Sequence, residues 1–137
     1  MRLSVSDWKL IVGASLIQIM AACALRTMPL PAVRRAFACL RPLATFMLTG
    51  SDDRVIWSIE ATGRRLGRLS TCLVRAIVVD VCLSTPERPL RLIIGVKRSC
   101  AGDLQSHAWV DDRRRILIGD ADTSEFVPLV AWDSLVA

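Results

Sequence analysis

Gly67-Arg68-Leu69-Ser70-Thr71-Cys72-Leu73-Val74-Arg75-Ala76 brings a small hydroxylated pair to the start of an apolar run that continues to Leu83. The β-branched residues Ile77, Val78, Val79 and Val81 would suit a buried strand. The length of the run and the polar pair before it favour a helix, with either Ser70 or Thr71 as its cap. A helix beginning there places Cys72 in its first turn. Unpaired N–H groups and the positive end of the helix dipole favour a thiolate at such a position, and the same N–H groups can hold an oxyanion. A cysteine in an apolar helix is otherwise a small packing residue, so the assignment of chemistry depends on what lies downstream.

Downstream stands Ser106-His107-Ala108-Trp109-Val110, with the only histidine of the chain, followed by Asp120 and Asp122. A thiol nucleophile needs a base near neutral pH, and the base needs a third group to fix its tautomer. Cys72, His107 and Asp120, in that order, make a chemically complete set, with Asp122 as the alternative acid. On a strand, Trp109 shares the face of His107 and can shield it.

The sequence between and around these residues sets the architecture. Ser84-Thr85-Pro86-Glu87-Arg88-Pro89 ends the Cys72 helix, and Leu90 to Val96 reads as a strand. A polar loop with Gly102 leads to a second strand from Ser106 to Asp111. Asp112 to Arg114 forms a hairpin tip, and a third strand runs from Arg115 to Gly119. Phe126 to Trp132 adds a fourth, placed at an edge by Pro128. On the N-terminal side, Ser6 or Asp7 caps a helix running from Leu10 to Leu25, the most hydrophobic stretch of the chain. That run is shorter than the roughly 20 residues a bilayer needs and contains Ser15 and Gln18, so a buried or interfacial helix is expected. Met20-Ala21-Ala22-Cys23 has a loose likeness to a lipoprotein cleavage box, which Asp7 argues against. Pro29 and Pro31 end this helix. Val33 to Leu40 forms a second, stopped before Pro42, and Val55 to Thr62 a third, capped by Asp52 or Asp53 with Ile56 and Trp57 inward. Helices first and strands after predict an α+β fold: a single domain over 1–137, with a helical front end (1–53) and a core (54–137).

With 137 residues, 53% of them hydrophobic and 23% charged, the chain is globular rather than disordered. The net charge of +5 comes from scattered arginines without aromatic interleaving, which reads as solvated surface and excludes the recognised nucleic-acid motifs. Five cysteines with no CxxC pair suggest neither a disulfide framework nor a zinc site, and fit a reduced, cytoplasmic setting. Cys23, Cys39 and Cys82 are expected to pack in the interior, and Cys100 to lie in a loop. No cofactor or metal is implied.

Taken together, Ser70-Thr71-Cys72-Leu73-Val74-Arg75-Ala76, Leu92-Ile93-Ile94-Gly95-Val96 and His107-Ala108-Trp109-Val110 give the segment from about Trp57 to Trp132 a pattern that resembles the lasso-peptide leader peptidases, the transglutaminase-like B proteins of lasso-peptide biosynthesis. The resemblance implies a transglutaminase-like or papain-like fold, with the cysteine-bearing helix packed on an antiparallel sheet. It implies a cysteine protease that removes the leader from a ribosomally made precursor, with Cys72 as nucleophile, His107 as base and Asp120 as acid. An ATP-using lasso cyclase then acts on the new N-terminus. The hairpin tip Asp112-Arg113-Arg114 departs from the Asp-Gly turn often found in the family. Longer relatives carry a leader-binding domain of their own. Residues 1 to about 53 read as packing helices instead, so a separate leader-binding recognition protein is expected as partner. The alternatives are acyl transfer to an amine by the same triad, or a catalytically silent subunit that binds peptide through its sheet edge.

Overall fold

The computed structural model describes residues 2–119 and 122–134, as five α-helices and a four-stranded antiparallel sheet. This is the α+β arrangement expected from the order of helical and strand patterns. The helices are α1 (Val5–Thr27), α2 (Leu30–Cys39), α3 (Arg41–Met47), α4 (Asp52–Leu66) and α5 (Cys72–Leu83), with a 3₁₀ turn at Gly67–Leu69 before α5. The strands are β1 (Arg91–Arg98), β2 (Leu104–Asp111), β3 (Ile116–Ile118) and β4 (Val127–Asp133), in the order β3-β2-β1-β4. Pro128 therefore does lie on an edge strand, where its missing N–H costs no ladder bond.

Local chemistry explains where the helix boundaries depart from the sequence reading. Helix α1 begins earlier than expected because Ser4 and Asp7 form a capping box: the Ser4 hydroxyl accepts from the Asp7 N–H, and the Asp7 carboxylate accepts from the Ser4 N–H. Pro42 does not close a helical region. It stands in the first turn of α3, where a proline sacrifices no hydrogen bond, and α3 is the element that the sequence reading omitted. Helix α4 takes Ser51 as its N-cap residue without a side-chain cap, and Asp52 and Asp53 lie inside its first turn. Trp57 is turned outward, 40% exposed, while Ile56 packs against the core. Cys23 and Cys39 are exposed rather than internal; Cys82 is buried as expected.

Helix α5 is the interior element. Val74 and every residue from Ala76 to Leu83 are buried, so it is covered on all sides, as befits a helix with no polar face. It packs against α1, α3 and α4 on one side and mainly β2 on the other. The register pairs Leu92 with Val110 and Ile94 with Ala108, and Leu92, Ala108 and Val110 join the core shared with α5. Strand alternation then gives Ile93, Gly95, His107 and Trp109 to the other face. The Trp109 indole lies over Gly95, where a β-carbon would stand 2.8 Å from the ring. At the β2–β3 tip Arg113 takes a positive φ of 69°, a conformation that a glycine would adopt without strain.

Two buried polar groups hold the helices in place. The Gln18 amide, fully buried in α1, donates to the Ile59 carbonyl (3.1 Å) and to Thr62 Oγ1 (2.6 Å) in α4, and its oxygen accepts from the Ser70 hydroxyl just before α5. Asp80, in the far half of α5, accepts from the Ser134 hydroxyl after β4 and lies in the field of Arg34 and Arg41; burial nevertheless pushes its carboxyl up. Because the folded carboxyl holds its proton more tightly than the unfolded one, Asp80 opposes folding as pH rises from the unfolded value to the raised folded one.

Replacing Gln18 by leucine keeps the volume and strands the buried Ser70 hydroxyl, at an expected cost of about 1–3 kcal/mol. Urea unfolding should show the lowered midpoint; an unchanged midpoint would mean that the amide network carries no stability.

Candidate functional site

The site begins where the turn meets α5. Thr71 is extended (φ −71°, ψ 167°), and its hydroxyl accepts from the Val74 N–H at 3.3 Å, so Thr71 is the cap. Ser70 is not free for that role, being buried and donating to Gln18. The division of labour follows from position: one hydroxyl anchors the turn to the helical layer, and the next caps the start of the helix. Cys72 is thus the first residue of α5, half-buried against the edge of the core, with the positive end of the helix around it.

The remaining cysteines differ in kind. Cys82 sits ten residues further along α5, and burial pushes its thiol up to about 12, which leaves it an inert packing group. Cys23, Cys39 and Cys100 are exposed. Of the two cysteines in α5, only Cys72 combines access with a helix N-terminus.

His107 lies on β2 opposite Gly95. Its ring stacks on Trp109 (centroids 6.1 Å apart, 25° between planes) and packs at 5.3 Å against Phe126, from the segment leading into β4. The expected partnership of Trp109 with His107 is therefore present. Nε2 of the ring meets the carbonyl of Gly119, at the exit of β3. A carbonyl only accepts, so Nε2 carries a proton, and in the neutral ring Nδ1 keeps its lone pair. Gly119 makes this approach with a φ of +106°, and a β-carbon there would lie 2.5 Å from that of Trp109 and 2.7 Å from the Ala108 carbonyl oxygen. Its carbonyl is a functional group that the sequence reading missed. The available signal was a glycine at the end of a short strand, one residue before the acid of interest.

Asp120 lies outside the described residues. Asp122 is exposed and engaged locally: its Oδ1 accepts from the Ser124 hydroxyl (2.6 Å) and N–H (3.3 Å), and these bonds hold its carboxyl below the usual carboxylate range. The structure thus brings His107 to Gly119, Trp109 and Phe126. Among the described residues no hydrogen bond joins its ring to Cys72, and no group of three or more His, Cys, Asp or Glu could hold a metal ion.

Comparison with known proteins gives one family. A family model described as the transglutaminase-like superfamily matches residues 14–131, a span that takes in most of the chain and both Cys72 and His107. No curated protein and no solved structure gives a match.

The His107 tautomer is open to direct observation. Nitrogen-15 NMR at neutral pH should place the imidazole proton on Nε2; a proton on Nδ1 would remove the Gly119 contact as its orienter. In mass-mapped alkylation, iodoacetamide should modify Cys72 in the folded protein and Cys82 only after denaturation.

Proposed function

The chain belongs to the transglutaminase-like superfamily, and from that premise we propose that it is a cysteine peptidase that removes the leader from a ribosomally made lasso-peptide precursor. Membership indicates cysteine-protease or acyl-transfer chemistry. The finer reading rests on one observation above the rest: Cys72, alone of the two cysteines of α5, stands accessible at a capped helix N-terminus. The motif His107-Ala108-Trp109-Val110 at strand β2 supplies the base.

In this mechanism Nδ1 of His107 takes the Cys72 thiol proton, and the thiolate attacks the scissile carbonyl. The first-turn N–H groups of α5 bind the oxyanion. The tetrahedral adduct collapses as His107 gives its proton to the leaving amine, leaving a thioester on Cys72. Water, deprotonated by His107, hydrolyses that thioester and regenerates the thiol. Nε2 is held at the carbonyl of Gly119, the residue before Asp120 in the sequence, and this contact leaves Nδ1 as the nitrogen assigned to the thiol. The His107 ring is packed against Phe126, on the face of β2 turned away from the core shared with α5, so proton transfer in this proposal requires the two groups to be brought together. A separate leader-binding protein presents the precursor and raises its local concentration, and a lasso cyclase consumes the product.

Incubation of the chain with a lasso precursor peptide, followed by mass spectrometry, tests the reading. Two fragments whose masses sum to that of precursor plus water are expected; an amine adduct would assign acyl transfer instead, and no reaction with the recognition protein present would assign a silent binding subunit. Cys72→Ala and His107→Ala should each lower the rate at least about a thousandfold, since members of such a set act as a unit, while Cys82→Ala retains it. Equal loss from Cys72→Ala and Cys82→Ala would remove the nucleophile assignment.

A further inference from the structure

Helix α1 is long and apolar enough, by length and composition, to cross a membrane, yet it packs along α4 and α5 with Leu10, Ala14, Ile17 and Ala21 in the core. Its other side is bare. Val5, Trp8, Val12, Leu16, Ile19 and Met20 are all exposed, at spacings of three and four that set them in one stripe. Short helix α3 flanks the stripe: Phe46, 80% exposed, borders the same groove as Val5, Trp8 and Val12, and Leu43 borders a smaller one with Met20. Monomeric proteins seldom leave so extended an apolar surface in water without a use for it.

Charge decides what covers the stripe. Residues 1–51 hold six basic side chains and one acidic one, whereas residues 52–137 hold twelve of each, so the whole +5 of the chain belongs to the segment that carries the stripe. Arg2, Lys9 and Arg26 are exposed, and Lys9 lines the groove itself. The single acid, Asp7, is neutralised by Arg54 and held by Ser4. Two copies meeting through this face would oppose like charges. An anionic bilayer offers the complement: acyl chains for the stripe, headgroups for the cations, and the interfacial depth that tryptophan favours.

We propose that the face formed by α1 and α3 seats this protein on the surface of an anionic lipid bilayer, with α1 lying in the interfacial plane and its inner side still packed in the fold. The orientation follows from α1 being shared: withdrawing it into the bilayer would strip α4 and α5 of the core residues it contributes.

The test is co-sedimentation of the full chain with vesicles of phosphatidylcholine, alone or mixed with phosphatidylglycerol. Binding to the mixed vesicles is expected, weakened by salt, and weaker on the neutral ones. Lys9→Glu should weaken it by about fivefold or more. The double variant Val12→Glu, Leu16→Glu should weaken it by about tenfold or more, with Leu104→Glu, at a more exposed leucine on β2, as the unaffected control. Brominated acyl chains should quench Trp8, and the quenching should vanish in Trp8→Phe, a variant that folds whatever becomes of the glutamates. No sedimentation with mixed vesicles, equal binding to both kinds, or binding without quenching of Trp8 would each overturn the proposal; a soluble dimer in place of vesicle binding would assign the face to a second copy.

Discussion

One buried amide sets the frame in which the rest of this molecule works. Gln18 is fully enclosed in the most apolar helix of the chain, where an unpartnered amide would cost several times what its hydrogen bonds return. Its donor reaches α4 and its acceptor reaches Ser70, so the single side chain fixes the spacing of α1 and α4 and the point from which α5 departs. Thr62 completes the set by donating to the Ser58 carbonyl while accepting from Gln18. The start of a helix is its least constrained part. Tying residue 70 to the helical layer gives Cys72 a defined position two residues later.

The sheet applies the same principle with backbone groups. Packing of Trp109 over Gly95 and against Gly119 leaves no room for side chains at those two positions. The chain can therefore leave β3 close enough for the Gly119 carbonyl to meet His107. A carbonyl oriented in this way discriminates tautomers as a carboxylate does, without adding charge. The salt bridges lie elsewhere: Arg91 with Asp111, Arg113 with Asp133 and Lys97 with Glu125 brace strand ends and the approach to β4. Arg91–Asp111 is bidentate and partly buried, whereas an exposed pair such as Arg113–Asp133 contributes little.

A protein whose fifth helix is buried and whose first helix is half bare divides its apolar residues between two tasks. The inner stripe of α1 makes the core; the outer one does not fold anything. Composition alone could not separate these, because a helix that is apolar all round has no face that sequence periodicity can point to.

What the sequence determined by itself was everything governed by neighbours along the chain. The hydroxylated pair before an apolar run specified a helix beginning at Cys72, the alternation of residues specified the strands, and Pro128 specified an edge. These follow from caps, periods and missing donors, which act within a few residues. The tertiary structure decided matters that depend on residues far apart: that Thr71 and not Ser70 is the cap, because Gln18, fifty-two residues earlier, claims Ser70; that Pro42 opens α3 instead of closing α2; that Trp57, Cys23 and Cys39 face outward; and that a glycine carbonyl orients His107. A hydroxyl has one proton to give and a helix has two sides to bury, and which partner takes the proton and which side meets the core is settled only when the distant segments arrive.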